Sequence, residues 1–361
     1  MKNILHISTS KGGVEYYINS IIDQSKAFSH FLAVDSSFGS KNKTAFLYLN
    51  DTGIPVFKDV KNICTIIASI NNSNIKINLL HGHSSKGVLY ACITGYWCKI
   101  PVIASPHAYG FYRFKGIIKL FVAITEYLIY NLFGCYLLPS NKSERFIGEK
   151  RFFIKKNIIN RNYFNSLKVT GFNKTINVQD NIDIIIVCIG RITYQKNPEK
   201  YFNIARQINK IIHNVTFLLV GGGFENKLAR KEEKLRKLVK NELKIIDWVS
   251  EQELIDILTK ADIYVSTSRY EGLPTATLLA MNYELPIVST RTPGNEDLVI
   301  DGYNGFLSND TNILVKKIIE LIENKKLRLK FGKKSKTMLN KHYNLENNIL
   351  MLEKNYHSYS K

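Results

Sequence analysis

The stretch ADIYVSTSRYEGLPTATLLAM, residues 261–281, decides how the rest of the chain is read. Ile263, Tyr264 and Val265 are β-formers, and the run closes in small polar residues. Gly272 and Pro274 mark a turn, and Pro274 suits a first helical position. The pattern predicts a strand, a turn and a helix. It also sets an acid, Glu271, just ahead of a helix N-terminus. Open α/β sheets bind ligands where the carboxyl end of a strand faces a helix start, and the exposed amides there favour an anion.

The same alternation extends on both sides. Upstream, residues 184–189 are a continuous apolar run, as expected of a parallel strand covered on both faces. It leads into Gly190, Arg191, Lys196, Asn197 and Pro198, so two cations follow a strand end and Asn197-Pro198 opens a helix. A guanidinium fork and an ammonium point charge suit a diphosphate; a solvated basic loop is the alternative. Residues 215–220 form the next strand, closed by Gly221, Gly222 and Gly223. Residues 225–240 read as a charged, solvated helix, 243–249 as a strand and 251–260 as a short helix. Past the opening stretch, the strand at 286–290 leads into Pro293, Gly294, Asn295 and Glu296. Residues 301–306 turn into a short strand, and 311–356 are helical and basic.

The first half has the same grammar. Residues 3–9 predict a strand and 14–27 a helix, with Lys11, Gly12 and Gly13 between them. The glycines do not make Gly-x-Gly-x-x-Gly. They are either a tight turn needing backbone freedom or an amide pair set for a phosphate. Strands at 30–35, 75–80, 101–105 and 135–139, with helices between most of them, imply a parallel sheet covered on both faces. Two of these strands end in polar clusters. One holds His81 and His83, whose spacing allows a metal reading, with capping or packing as the bland alternative for His81. The other puts His107 at a strand end, where the ligand crevice belongs. Residues 111–133 are apolar and aromatic with a basic start, and Lys119 and Glu126 interrupt them, so a membrane span is not expected. Two readings stay open: a basic amphipathic helix on an anionic membrane surface, or a buried crossover helix. From 141 to 180 the pattern breaks into a short helix at 143–150, a strand at 152–159 and a polar, basic linker.

A length of 361 residues fits two domains, and a 45% hydrophobic, 22% charged composition can bury two cores. The net charge of +20 would suit nucleic acid, anionic membrane or phosphorylated ligands. The richness in Lys, Asn and Ile dilutes that signal. With no nucleic-acid motif or aromatic-basic platform, a nucleic-acid partner is not expected. The five cysteines are scattered without Cys-x-x-Cys, so neither a disulfide framework nor a zinc site is expected. Met1-Lys2 leads straight into a strand, and a cytoplasmic protein is expected.

Taken in order, Gly12-Gly13-Val14-Glu15, His81-Gly82-His83, Pro106-His107, Gly190-Arg191, Lys196-Asn197-Pro198, Val220-Gly221-Gly222-Gly223, Ala261-Asp262, the run from Ser268 to Pro274, and Pro293-Gly294-Asn295-Glu296 carry a resemblance. The chain resembles the retaining GT-B glycosyltransferases of the large family 4, the bacterial group typified by lipopolysaccharide, capsule and mannosyl transferases. The resemblance covers essentially the whole chain. It implies an α/β, GT-B fold of two Rossmann-like doubly wound domains facing a cleft. These would be an acceptor-binding domain at 1–165, a nucleotide-sugar-binding domain at 166–343, and a last helix at 344–361 crossing back to the first domain. By matching position, Arg191 and Lys196 would hold the donor diphosphate, with Gly12 and Gly13 approaching it through their amides. Leu273, Pro274 and Thr275 would supply the helix start, Glu271 would touch the sugar hydroxyls, and His107 would sit near the transferred sugar. No metal or other cofactor is expected, since these cations can stabilise the leaving group and no Asp-x-Asp is present.

The expected partners are a nucleoside-diphosphate sugar, a glycan or lipid-linked acceptor in capsule, O-antigen or lipopolysaccharide assembly, and an anionic membrane surface, which would place the protein peripherally on the inner face of the cytoplasmic membrane. One position departs from the family. A second acid, usually assigned to the ribose hydroxyls, is expected eight residues after Glu271, and this chain has Leu279 there. A non-catalytic GT-B partner subunit is therefore the alternative to an enzyme, and a nucleotide-sugar 2-epimerase a more distant one.

Overall fold

The computed structural model describes residues 1–8, 13–34, 56–57, 63–152, 157–159, 183–222 and 243–360. The chain divides into two compact units, Met1–Ser166 with Leu345–Lys361, and Leu167–Asn344.

In the first unit, strands β1 (Lys2–Ser8), β2 (Phe28–Val34), β3 (Val56–Phe57), β4 (Leu79–His83), β5 (Val102–Ser105) and β6 (Tyr136–Leu137) form one sheet in the order β3-β2-β1-β4-β5-β6. Every pairing is parallel. Helices α1 (Gly13–Gln24), α2 (Ile63–Asn72), α3 (Ser84–Cys98), α4 (Gly116–Leu132) and α5 (Lys142–Lys150) connect them, with a 3-10 turn at Gly110–Arg113. The strands bury their side chains on both faces, as helix-covered parallel strands must.

The second unit repeats the plan. Its strands are β7 (Ile184–Ile189), β8 (Val215–Gly222), β9 (Lys244–Asp247), β10 (Ile263–Ser266), β11 (Ile287–Ser289) and β12 (Gly305–Leu307), in the order β12-β11-β10-β7-β8-β9, again all parallel. Counted from the first strand of each unit, both sheets run 3-2-1-4-5-6. The order reverses beside β1 and β4 in one unit and beside β7 and β10 in the other, which is where doubly wound sheets open a crevice. Helices α6 (Pro198–Asn209), α7 (Glu251–Lys260), α8 (Thr275–Asn282), α9 (Pro293–Leu298), α10 (Thr311–Glu323) and α11 (Lys325–His342) cover this sheet. Their starts are set locally. Ser250 and Glu253 make a reciprocal capping box on α7, and Asp310 and Asn324 accept first-turn amides of α10 and α11.

The last helix, α12 (Leu345–Tyr359), belongs to the first unit. Leu345, Ile349, Leu352 and Tyr356 bury against Ile4, Tyr17, Ile21, Phe28, Leu79 and Ile103. Glu353 accepts hydrogen bonds from Ser25 Oγ at 2.8 Å and the Ala27 amide at 3.2 Å, which fixes the helix ahead of β2.

Some expectations change. The strand expected at 152–159 is reduced, among its described residues, to a single parallel bridge between Ile158 and Leu137. The helix at 225–240 and the linker at 160–180 lie outside the described residues. The apolar segment at 111–133 is a 3-10 turn followed by α4, and it is no buried crossover: of α4 only Glu126, Ile129 and Tyr130 are buried. An apolar sequence alone does not distinguish a helix sunk in a core from one standing outside it.

Candidate active site

The stretch at 261–281 folds as the sequence predicts, with β10 leading through a turn into α8. Pro274 is the N-cap of α8 and Thr275 its first residue, one position later than expected. Pro274 offers no side-chain cap, and the first-turn amides of a helix have no intrahelical acceptor. A Cβ on Gly294, near the start of α9, would collide with the Gly272 carbonyl. Only glycine lets α9 approach the turn so closely.

Three strand ends meet here. From β7 the chain passes Gly190 and Arg191 to Lys196, and a left-handed Asn197 (φ 53°) starts α6. Gly190 leaves room for the lysine stem, since a Cβ there would stand 3.1 Å from Lys196 Cγ and Cδ. From β10, Thr267 Oγ1 donates to the Lys196 or Asn197 carbonyl, each at 3.1 Å, and the Arg269 amide donates to the Gln195 carbonyl at 2.8 Å. Arg269 also lies over the Tyr194 ring at 4.2 Å. From β11, Thr290 Oγ1 donates to the Ser268 carbonyl at 2.6 Å. The two loops are thereby fixed against each other.

Within this frame Lys196 Nζ donates to Glu271 Oε1 at 2.6 Å. Ser268 Oγ donates to the same oxygen at 2.6 Å. Glu271 is buried, and among the described residues its Oε2 has a long contact with Gln195 Nε2 at 3.4 Å. The sequence marked Lys196 and Glu271 for separate tasks; the structure makes them an ion pair. Leu273 and Pro274 are buried, Thr275 is half-buried, and Arg191 lies half-buried on the exit from β7. Leu279 is half-buried on α8, one turn past Thr275. Gln195 and Thr267 were not singled out from sequence and Ser268 only as part of its motif, although small polar residues just past a strand end, as Thr267 and Ser268 are past β10, are a signal that could have done so.

In the first unit His107 follows β5 with a left-handed backbone (φ 50°), and Ala108 is left-handed as well (φ 86°). Two buried carboxylates hold this uncommon turn. Glu144 Oε1 accepts from the Ala108 amide at 2.6 Å, and Glu126 Oε1 accepts from the Gly110 amide at 2.8 Å. Burial pushes the Glu126 carboxyl above its ordinary range.

Behind His107 stands a row of imidazoles. His107 Nε2 meets His83 Nδ1 at 3.2 Å, His83 Nε2 meets His6 Nδ1 at 3.0 Å, and His6 Nε2 meets His30 Nδ1 at 3.0 Å. His81 sits beside the row between Tyr356 Oη at 2.7 Å and Ser105 Oγ at 2.9 Å. Burial lowers all five proton affinities, with His30 and His107 brought down to about 4, because the imidazolium loses its hydration. Among the described residues, His107 Nδ1 is buried with no hydrogen-bond partner. A metal reading rests on His6, His81 and His83, whose ligand nitrogens lie within 4.8 Å of one another. Every ring nitrogen of the three already has a hydrogen-bond partner. His6 and His30 escaped the sequence reading. Gly13 is the exposed first residue of α1, and Gly12 lies outside the described residues.

Residues 147–338, more than half of the chain, match the family described as Glycosyl transferases group 1. An uncharacterized glycosyltransferase of Methanocaldococcus jannaschii is 26% identical over 97% of this chain and 95% of its own length. The UDP-Gal:alpha-D-GlcNAc-diphosphoundecaprenol alpha-1,3-galactosyltransferase of Escherichia coli is 24% identical over 76% of this chain and 74% of its own. Among solved structures, Anabaena HepE in complex with UDP and glucose aligns with a TM-score of 0.78 at 15% identity, covering 99% of this chain and all of that one. The fold shared with such chains is the GT-B fold expected from the sequence.

Proposed function

Because this chain belongs to the glycosyl transferases group 1 family and is thus a glycosyltransferase, we propose that it moves a sugar from a nucleoside-diphosphate sugar to a hydroxyl of a glycan or lipid-linked acceptor, with retention at the anomeric carbon. The observation that carries the reading is the Lys196–Glu271 pair beside the uncapped start of α8. A donor diphosphate would lie against Lys196, Arg191 and the amides around Thr275, where the lysine charge and the helix end both favour an anion. Glu271 Oε2, with its long contact to Gln195, would accept from a sugar hydroxyl.

In the transfer, the bond between the anomeric carbon and the diphosphate oxygen breaks, and its electron pair leaves with the diphosphate. A bond forms from the acceptor oxygen to the same carbon, and the acceptor's proton passes to the departing phosphate. Lys196, Arg191 and the α8 amides stabilise the charge that develops, so the reading needs no metal ion. His107, neutral by burial, would lie beside the transferred sugar. In support, two relatives are named for transfer to diphosphoundecaprenol-linked sugars, and another for Vi polysaccharide biosynthesis. Surface polysaccharide synthesis at the inner face of the cytoplasmic membrane is accordingly the process proposed for this chain.

The test is a thermal-shift series with UDP, GDP and their sugars. One nucleoside diphosphate at a hundred times its Kd should stabilise the protein by about 2.7 kcal/mol. A chain that none of them stabilises would overturn the donor assignment.

A further inference from the structure

Helix α4 is apolar on two opposite sides. Val122, Ala123, Ile129 and Tyr130 pack into the first unit, and Glu126 is tied to the Gly110 amide. Ile117, Phe121, Ile124, Leu128 and Leu132 are spaced by three or four residues and therefore share the other face, and all five are exposed. Ile117 is 82% exposed and Phe121 70%. Residues 113–121 are exposed without a break, so the first turns of α4 stand clear of the body. Past its other end Phe133, on the packed side, brings the C-terminus of α3 alongside. The Tyr96 ring meets that of Phe133 at 5.7 Å, and Tyr96 and Trp97 are 66% and 70% exposed. So many exposed apolar side chains on one helix face and the neighbouring helix end are uncommon on a protein that remains free in solution.

Its charges narrow the choice of occupant. Arg113, Lys115 and Lys119 are exposed around the start of α4, and Lys99 follows Trp97 at the end of α3. Between residues 113 and 133 the one acid is Glu126, which is buried. Among the described residues of α4, the exposed charges are thus all positive. A second copy would bring like charge against like charge. An anionic lipid surface matches both features, with aromatic rings at headgroup level and basic side chains on the phosphates. None of the described helices is long and apolar enough to cross a membrane.

We propose that the outer face of α4, with Tyr96 and Trp97, is a monotopic docking surface for anionic phospholipid. This deepens the membrane setting of the proposed function and rests on that reading only for its purpose; lipid binding is measured without donor or acceptor. Failure to bind lipid would leave sugar transfer standing, and failure of transfer would leave docking standing.

The chain carries its own reporter. It has two tryptophans, so Trp248→Phe leaves Trp97 as the single one. With vesicles of phosphatidylcholine and phosphatidylglycerol at low salt, the full chain should co-sediment. Trp97 emission should shift to the blue and be quenched by brominated acyl chains. Ile117→Glu with Phe121→Glu should abolish sedimentation while the melting temperature holds, since neither side chain is packed. Lys115→Gln with Lys119→Gln should weaken binding by about fivefold per charge removed, and high salt should release the protein. Three results would overturn the proposal: an unchanged Trp97 emission, equal binding to vesicles of phosphatidylcholine alone, or a lipid-free dimer that Phe121→Glu dissociates.

Discussion

The two units have the same strand order and the same all-parallel sheet, yet they fill the neighbourhood of the switch point with opposite chemistry. In the first, β1, β2, β4 and the end of β5 contribute a buried row of neutral imidazoles linked ring to ring. In the second, the loops after β7 and β10 contribute an ion pair, Lys196–Glu271, at the rim. Burial explains the division. His6, His81 and His83 are fully buried, the first two against Tyr356 of α12, so a charge there would lose its hydration, and an imidazole can satisfy a neighbour while staying neutral. Lys196 keeps 24% of its side-chain surface exposed, so its charge remains available to an arriving anion. One topology thus supplies a neutral, hydrogen-bonded row in one unit and a partly exposed ion pair in the other.

The largest expected effect breaks the charged side. Lys196→Met should lower transfer roughly 100- to 1000-fold, the usual cost of removing one group that stabilises developing charge. It also strands Glu271 against Ser268, at a stability cost of about 2 kcal/mol once the lysine's partial exposure is allowed for. Adding Glu271→Gln should restore most of that stability, because no buried charge is left alone, and should restore none of the activity. Denaturant midpoints and turnover of the three variants check this. A double variant no more stable than Lys196→Met would show that the pair does not hold the rim.

The next effect breaks the neutral side, by pH. Burial lowers the pKa of His30 and His107 from 6.5 to about 4 and lowers His6, His81 and His83 as well, with the nearby Glu353 carboxylate opposing the shift at His30. Between those values the unfolded chain binds protons that the folded unit excludes. The stability from neutral imidazoles is therefore complete above pH 6.5 and is lost as pH falls toward 4. At about 1.4 kcal/mol per pKa unit, His30 and His107 are worth roughly 3 kcal/mol each. In the second unit His213 and His342 are exposed. Trp97 and Trp248 stand in different units, so single-tryptophan variants can follow each one. The Trp97 signal should unfold at the higher pH, and coincident transitions would refute the contrast.

Much of this was legible in the sequence, and the gaps have physical causes. Strand–turn–helix alternation marked both sheets, because parallel strands need apolar runs and their crossovers need helical ones. Glu271, Lys196 and His107 were legible as chemistry at strand ends. Their partners were not. Lys196 and Glu271 lie 75 residues apart and meet only when β7 and β10 pair. His6 and His30 sit within strands, where a lone histidine looks like filler until β1, β2 and β4 come into register. His81 and His83, two apart, necessarily face one way, and that clue had no meaning without His6 opposite His81. The exposure of α4 was open for the same reason, since a helix apolar on both sides reads identically in a core and on a surface.

The smallest expected effect sharpens the charged side further. Leu279 is half-buried on α8, one turn past Thr275, where the family resemblance places a ribose-binding acid. If the donor lies as proposed, its ribose hydroxyls face a side chain that accepts no hydrogen bond. A carboxylate there would regain roughly 1.5 kcal/mol, the lower range for a hydrogen bond to a charged group. Leu279→Glu should therefore tighten nucleoside-diphosphate binding by about tenfold in calorimetry, and should add nothing for a ribose-free pyrophosphate. Equal gains for both ligands would assign the effect to general electrostatics and remove the ribose from this face of α8. A nucleoside-diphosphate affinity that falls would mean that Leu279 already packs on the donor as an apolar contact, and that the ribose does not lie where the family resemblance implies.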